Sequence, residues 1–355
     1  MSDDSQAASA APGAAAVSGL VSVLRGIDTG RPSRTVLGAG HYASVIALDD
    51  RTGIAFCADG VGTKVIIAEQ MGRFDTIGID CVAMNVNDII CVGAEPLALV
   101  DYIAVEAVDP DVLRAIAEGL RAGAEQAGVE IPGGELAELP ELIRGHPSPR
   151  GFDLAAACIG TVPLDRIMSG AAIRPGDAVI GVPSSGIHSN GLTLARRVLL
   201  EQAGHDLADA PAGLGRPLGE ELLEPTAIYV RAVTAILGHG LDVHGLAHIT
   251  GDGLLNLLRL NEGVGYEIYE PLPSHPIFDL IAESGKLPAA AMYEAFNMGT
   301  GFCCIVGPAA AEETAALLAE RHPGARRIGE VSADTGVIRV PPAGIAGEAG
   351  GFREL

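Results

Sequence analysis

The sequence contains no tryptophan and only 4% aromatic residues, which argues against a surface that stacks bases. Basic residues are scarce too: 23 Lys and Arg face 45 Asp and Glu, a formal net charge of −22. A surface of that sign repels polyanions, so no nucleic-acid or anionic-membrane partner is expected. An anionic small molecule would need a local site that concentrates donors or metal ions. No run reaches 18 consecutive apolar residues, so no transmembrane helix is expected. The N-terminus opens on acidic Ser2-Asp3-Asp4 and lacks the basic region of a secretory leader. Cys57, Cys81, Cys91, Cys158, Cys303 and Cys304 form no CxxC pair. They read as small buried hydrophobes of a reducing compartment, and the chain as cytoplasmic. HExxH and GxSxG are both missing, which argues against a zinc peptidase and a serine hydrolase.

What is present is a chain of 355 residues, 48% of them apolar, enough for two cores. Residues 1–18 are Ala/Ser/Gly/Asp and read as a disordered tail. Residues 19–168 form the expected first domain. It contains a hairpin of ASVIALD and GIAFCAD, helices near 63–72, 76–92 and 110–128, and strands at 96–106 and 153–162. The second expected domain, 169–345, follows the break Arg174-Pro175-Gly176-Asp177. It holds the strand AVIGVP, helices at about 191–204 and 220–238, a helix opened by HITGDG, then GFCCIVG, a helix at 309–321 and two final strands. Residues 346–355 read as a second tail. A hairpin followed by alternating elements predicts α+β architecture, with two domains of mixed sheets flanked by helices.

Two segments point to phosphate chemistry. Asp59-Gly60-Val61-Gly62-Thr63-Lys64 ends a strand and begins a helix. Its glycines permit close backbone approach, helix-terminal N–H groups suit an anion, Lys64 could neutralise phosphate and Asp59 is a hard oxygen ligand. It is not a Walker A loop, and alone it reads equally well as a tight turn with a surface lysine. In Ile79–Ile90, a helix would place Asp80, Asn85, Asn87 and Asp88 within an arc of roughly 160°. Short acid and amide groups without Lys or Arg suit Mg²⁺ bound alongside phosphates, although a stripe simply facing water has the same pattern.

Three loops complete the set. Gly133-Gly134-Glu135 places a Gly-Gly turn before a carboxylate. Pro183-Ser184-Ser185-Gly186-Ile187-His188-Ser189-Asn190-Gly191 joins a strand to a helix, and its hydroxyls, amide and imidazole suit a phosphate or ribose. His188 is the only titratable side chain there and so a candidate for proton transfer. His248-Ile249-Thr250-Gly251-Asp252-Gly253 is a weaker anion-loop candidate.

In order and spacing, these motifs together with Gly93-Ala-Glu-Pro96, Asp101–Ala104 and Phe296-Asn-Met-Gly299 resemble the phosphoribosylformylglycinamidine cyclo-ligase (AIR synthetase) family over residues 36–340. The resemblance implies ATP-dependent ring closure of formylglycinamidine ribonucleotide to aminoimidazole ribonucleotide, with ADP and phosphate released, in purine biosynthesis. It implies that Asp59, Asp80, Asp88 and Glu135 hold Mg²⁺. Gly60, Gly62, Thr63, Lys64, Asn85, Asn87, Gly133 and Gly134 would contact ATP. Ser184, Ser185, His188, Ser189, Asn190, His248 and Thr250 would face the ribonucleotide, with His188, Lys64 and Asp88 catalytic. A homodimer joined through the N-terminal sheets is implied as well. The sequence departs from the family pattern at Gly38-Ala-Gly-His-Tyr42 and at Gly251-Asp252-Gly253. A thiamine-monophosphate kinase type of enzyme and a non-catalytic nucleotide-binding subunit on the same scaffold are the competing expectations.

Overall fold

The computed structural model describes residues 10–355. The described residues begin with helix α1 (Ala10–Arg25), which corrects the disordered tail expected over 10–18; residues 1–9 of that tail lie outside the described residues. Alanine-rich sequence favours helix, and Pro12 is tolerated because it falls in the first turn. Strands β1 (Thr35–Leu37), β2 (Ser44–Ala47) and β3 (Thr52–Gly60) precede helices α2 (Lys64–Met71) and α3 (Ile77–Cys91). Then come β4 (Glu95–Val105), α4 (Pro110–Ala127), β5 (Glu130–Glu138) and β6 (Phe152–Pro163).

These strands form one six-stranded sheet in the order β1-β2-β3-β6-β4-β5, antiparallel except for β4 and β5. The expected Gly133-Gly134 turn is instead the middle of edge strand β5. The parallel partner β4 supplies the pairing that a local reading of Gly-Gly does not anticipate. Helix α4 is well delimited: the Asp109 carboxylate accepts from the Asp111 and Val112 amides, Pro110 occupies the first turn, and Gly128 closes it at φ 78°. α3 and α4 touch backbone to backbone, since a Cβ on Gly78 would lie 2.1 Å from the Leu120 amide nitrogen.

The second domain starts with β7 (Ala178–Pro183) and α5 (Leu192–Arg196), which continues as a π-turn through Gln202. α6 (Leu218–Leu222), α7 (Val230–Gly238), β8 (Val243–His248), β9 (Gly265–Glu267), α8 (Pro276–Gly285) and α9 (Ala289–Ala295) follow. The chain ends with β10 (Thr300–Val306), α10 (Ala311–Ala319), β11 (Arg326–Ser332), β12 (Ile338–Val340), β13 (Ile345–Glu348) and β14 (Gly351–Glu354). Their sheet runs β14-β13-β12-β9-β11-β7-β10-β8. β10 is buried on both faces, which accounts for its unbroken apolar run.

Three expectations need correction here. The helix read at 220–238 is two helices, α6 and α7, because Pro225 cannot continue the first. HITGDG opens a 3₁₀ turn over Gly253–Arg259, after Asp252 at φ 68°, and no α-helix. The supposed tail from residue 346 pairs as the β13–β14 hairpin, whose Ile345 and Ala346 are buried.

Candidate active site at the domain seam

Helix α3 explains why the two domains meet where they do. One side packs on β3, β6 and β4 and on α4, while the other meets β8 and α7 of the second domain. Its polar stripe therefore faces neither water nor open space: Asp80, Asn85 and Asn87 are fully buried. Buried polar groups persist only when hydrogen-bonded, and each finds defined partners.

Asp80 Oδ1 accepts from Lys64 Nζ at 2.9 Å, from the Thr226 amide at 2.8 Å and from Thr226 Oγ1 at 2.6 Å. Lys64 Nζ also donates to the Glu224 carbonyl. Lys64 and Asp80 are both 0% exposed. Asn87 Nδ2 donates to the Ala227 carbonyl at 2.9 Å, and its Oδ1 accepts from the Tyr229 amide at 3.0 Å. Asn85 clips α3 to β3, taking the Asp59 amide at 3.1 Å and giving to the Asp59 carbonyl at 3.2 Å. Lys64, Asp80, Asn85 and Asn87 are thus engaged in joining elements across and beside the seam. Of their polar atoms, Asp80 Oδ2 alone is buried without a partner among the described residues.

The remaining acids behave differently. Asp88 Oδ1 accepts from His248 Nδ1 at 2.9 Å, and its side chain stays 16% exposed beside a fully buried imidazole. Asp59 bonds the Gly60 amide at 2.7 Å. Burial pushes its carboxyl up, and nearby Asp88 adds to the shift while the Gly60 amide and His248 oppose it. Glu135 lies exposed on edge strand β5, where its Oε1 accepts from the Leu136 amide at 3.0 Å. Beside it, α4 and β5 border an apolar groove of about 740 Å³ that also takes in Gly133, Gly134 and Asp101. Among the described residues, no three Asp, Glu, His or Cys side chains are placed to hold a metal ion. The four expected ligands do not converge. Asp59 and Asp88 remain as a neighbouring pair, and two carboxylates fit a Mg²⁺ that brings its other oxygens from phosphates and water.

Around Asp59 the phosphate-loop candidate is open: Gly62 adopts φ 70°, and Thr63 Oγ1 reaches Thr193 Oγ1 of the second domain at 2.9 Å. Opposite it lies the 183–191 loop. Asn297, from the Phe296–Gly299 motif, shapes that loop by donating to the Gly186 and Ile187 carbonyls at 2.8 and 3.1 Å. Ser185 Oγ donates to the Pro225 carbonyl at 2.5 Å. Ser189 Oγ lies 3.4 Å from Asp80 Oδ1 and 3.2 Å from Thr226 Oγ1. His188 sits at φ 66°, a strained conformation for a side-chain-bearing residue. A Cβ on Gly301 would collide with Tyr229 Oη and His188 Cε1, so only glycine lets the loop pack there. Thr250 Oγ1 bonds Asn256 Oδ1 at 3.4 Å, and Asn256 Nδ2 ties the Gly251 and Gly253 carbonyls. Tyr42, from the divergent loop, gives its hydroxyl to the Asn256 carbonyl at 3.4 Å beneath the Arg259 guanidinium.

Three buried polar atoms of the 183–191 loop have no partner among the described residues: Ser184 Oγ, His188 Nδ1 and Asn190 Oδ1. Orphaned groups concentrated on one loop are costly to folding and mark where a ligand can complete the bonding. Thr226 and Tyr229 were not named by motif reasoning.

Burial holds the His188 imidazole well below its ordinary range, and the positive fields of His248, Lys64 and His275 push the same way. The unfolded chain then binds this proton more readily than the native one. Stability is complete above pH 6.5 and declines as pH falls below it, by up to about 1.4 kcal/mol per pH unit from this group. Urea unfolding at pH 7.5, 6.5 and 5.5 is expected to show that decline, and His188→Asn to flatten it. His41 and His322, shifted the same way by burial first, leave a residual slope.

The fold and seam define a class. Residues 40–162 match the family described as AIR synthase related protein, N-terminal domain, and residues 174–340 match its C-terminal domain. Solved structures with this fold include one entitled AaThiL complexed with AMPPCP and TMP, at TM-score 0.62 and 19% identity over 91% of this chain and 92% of that one. Hydrogenase maturation protein HypE in complex with ATP has TM-score 0.60 and 22% identity, over 87% and 86%. Within this class, a phosphoribosylformylglycinamidine cyclo-ligase of Methanothermobacter thermautotrophicus is 49% identical over 89% of this chain and 90% of its own. One of Thermococcus kodakarensis is 51% identical over 86% of each. The chain belongs to the phosphoribosylformylglycinamidine cyclo-ligase family.

Proposed function

We infer that the chain closes the ring of formylglycinamidine ribonucleotide, using ATP, to give aminoimidazole ribonucleotide, ADP and phosphate. The observation that carries this is the identity of about half of all positions with cyclo-ligases along nearly the whole length of both chains. In the reaction the formyl amide oxygen takes the γ-phosphoryl group as ADP leaves. The amidine nitrogen adds to that carbon, and the C–O bond breaks with phosphate as leaving group. Positioning and charge neutralisation are the main tasks for a protein in such a step.

The open turn Gly60, Gly62 and Thr63 suits the triphosphate. Asp59 and Asp88 would hold Mg²⁺, which supplies charge neutralisation when bound. Ser184, His188 and Asn190, with their unpaired polar atoms, suit the ribonucleotide, and His248 orients Asp88. Gly133, Gly134 and Glu135 we assign to the edge-strand groove, outside this set. Six free cysteines among the described residues support a reducing cytoplasmic setting.

A homodimer is part of the proposal. On the sheet face turned away from α3, Phe56, Val100, Tyr102 and Ile159 are 40 to 49% exposed, and Phe56 stands directly across from Ile159. A contiguous apolar face of this kind is normally covered. Light scattering is expected to give twice 36.2 kDa, with Ile159→Asp shifting the mass to one chain.

The functional test is ADP release with ATP and Mg²⁺, with and without formylglycinamidine ribonucleotide, alongside detection of the aminoimidazole product. One ADP per product, and none without the ribonucleotide, is expected. ADP release that ignores the ribonucleotide would overturn the substrate assignment.

A further inference from the structure

The break between α6 and α7 is more than a connection. Every residue from Glu224 to Ala227 is pinned from outside: the Glu224 carbonyl by Lys64, the Pro225 carbonyl by Ser185, Thr226 by Asp80, and the Ala227 carbonyl by Asn87. What this segment presents in return is the Ala227 amide, 3.5 Å from His188 Nε2. The Ser185 amide donates to the same nitrogen at 3.1 Å. Two amide donors facing Nε2 require it to carry the lone pair, so the proton of the neutral ring sits on Nδ1. That nitrogen has no partner among the described residues.

We propose that Thr226, held by the Lys64–Asp80 pair, is a positioning residue for His188: it sets the Ala227 amide against Nε2, fixes the Nδ1–H tautomer, and leaves that N–H as a neutral donor to an oxygen of the bound ribonucleotide. His188 then acts as a hydrogen-bond donor and not as a base at Nε2. Lys64 from α2, His248 from β8 and His275 before α8 oppose a charge on the ring, while the Asp80 carboxylate on α3 is bonded by Lys64 and Thr226 and that of Asp88 by His248. The Thr226 hydroxyl is the mutable element of the chain of contacts. It is 2% exposed, and valine matches its shape while removing the bond to Asp80.

The proposal deepens the cyclo-ligase reading and rests on it only for the activity arm. Long-range ¹H–¹⁵N NMR of ¹⁵N-histidine protein without ligands, assigned by the signal lost in His188→Asn, reads the tautomer directly. At pH 7.5 the wild-type His188 is expected to be neutral with its proton on Nδ1. Thr226→Val is expected to mix the tautomers and to lower kcat about tenfold with KM for ATP within about twofold. Thr226→Ser should restore both. A wild-type signal with the proton on Nε2, or a charged ring, overturns the proposal whether or not Thr226→Val folds. So does a folded Thr226→Val protein with unchanged tautomer and kcat. A correct tautomer in a protein that makes no aminoimidazole product would support the positioning and refute the reaction.

Discussion

Lys64→Ala is expected to lower the unfolding free energy by about 3–5 kcal/mol, the usual cost of leaving one charge of a buried pair uncompensated. Asp80 would keep Thr226 as partner and lose Lys64, the one Lys or Arg among the described residues that donates to it. The Glu224 carbonyl would lose its donor as well. The pair lies in the first domain and holds Glu224 and Thr226 of the second, so the loss should also weaken the domain contact; urea unfolding followed by circular dichroism reads it. The double variant Lys64→Met/Asp80→Leu should recover part of the stability, as apolar residues of similar volume replace ion pairs well. Full recovery is not expected, because the Thr226 amide and hydroxyl then lack an acceptor. A single variant within about 1 kcal/mol of wild type, the range of a surface ion pair, would contradict the seam described here.

Asp88→Asn should leave the fold intact and reduce turnover about a thousandfold, as expected for removing a charge that neutralises the reacting phosphoryl group. Asparagine preserves size and can still face His248, whose Nδ1 lies 2.9 Å from the native carboxylate. The negative charge shared with Asp59 is what disappears. Far-ultraviolet circular dichroism and melting temperature should therefore be near wild type while ADP release collapses, with ATP affinity still measurable in Mg²⁺. Unchanged turnover would remove Asp88 from the site.

The local motifs were legible because short-range geometry determines them. Asp59–Lys64 does end a strand and begin a helix, and 79–90 is helical with one polar side. What those side chains touch across the seam was not legible, because Thr226, Ala227 and Tyr229, which bond Asp80 and Asn87, lie 140 or more residues away in sequence. A stripe of short acids and amides reads the same whether it meets Mg²⁺, water or another domain. The helix expected over 220–238 breaks at Pro225, which cannot continue it. Gly133-Gly134 read as a turn because the parallel pairing that makes it strand β5 comes from β4, far outside any local window.

The most direct test of the account is a crystal structure with a non-hydrolysable ATP analogue, Mg²⁺ and formylglycinamidine ribonucleotide bound together. The account predicts the triphosphate over the Asp59–Thr63 turn, the metal on Asp59 and Asp88, and the ribonucleotide within hydrogen-bonding distance of His188 Nδ1. A ribonucleotide bound elsewhere, such as the α4–β5 groove, with His188 untouched, would contradict it.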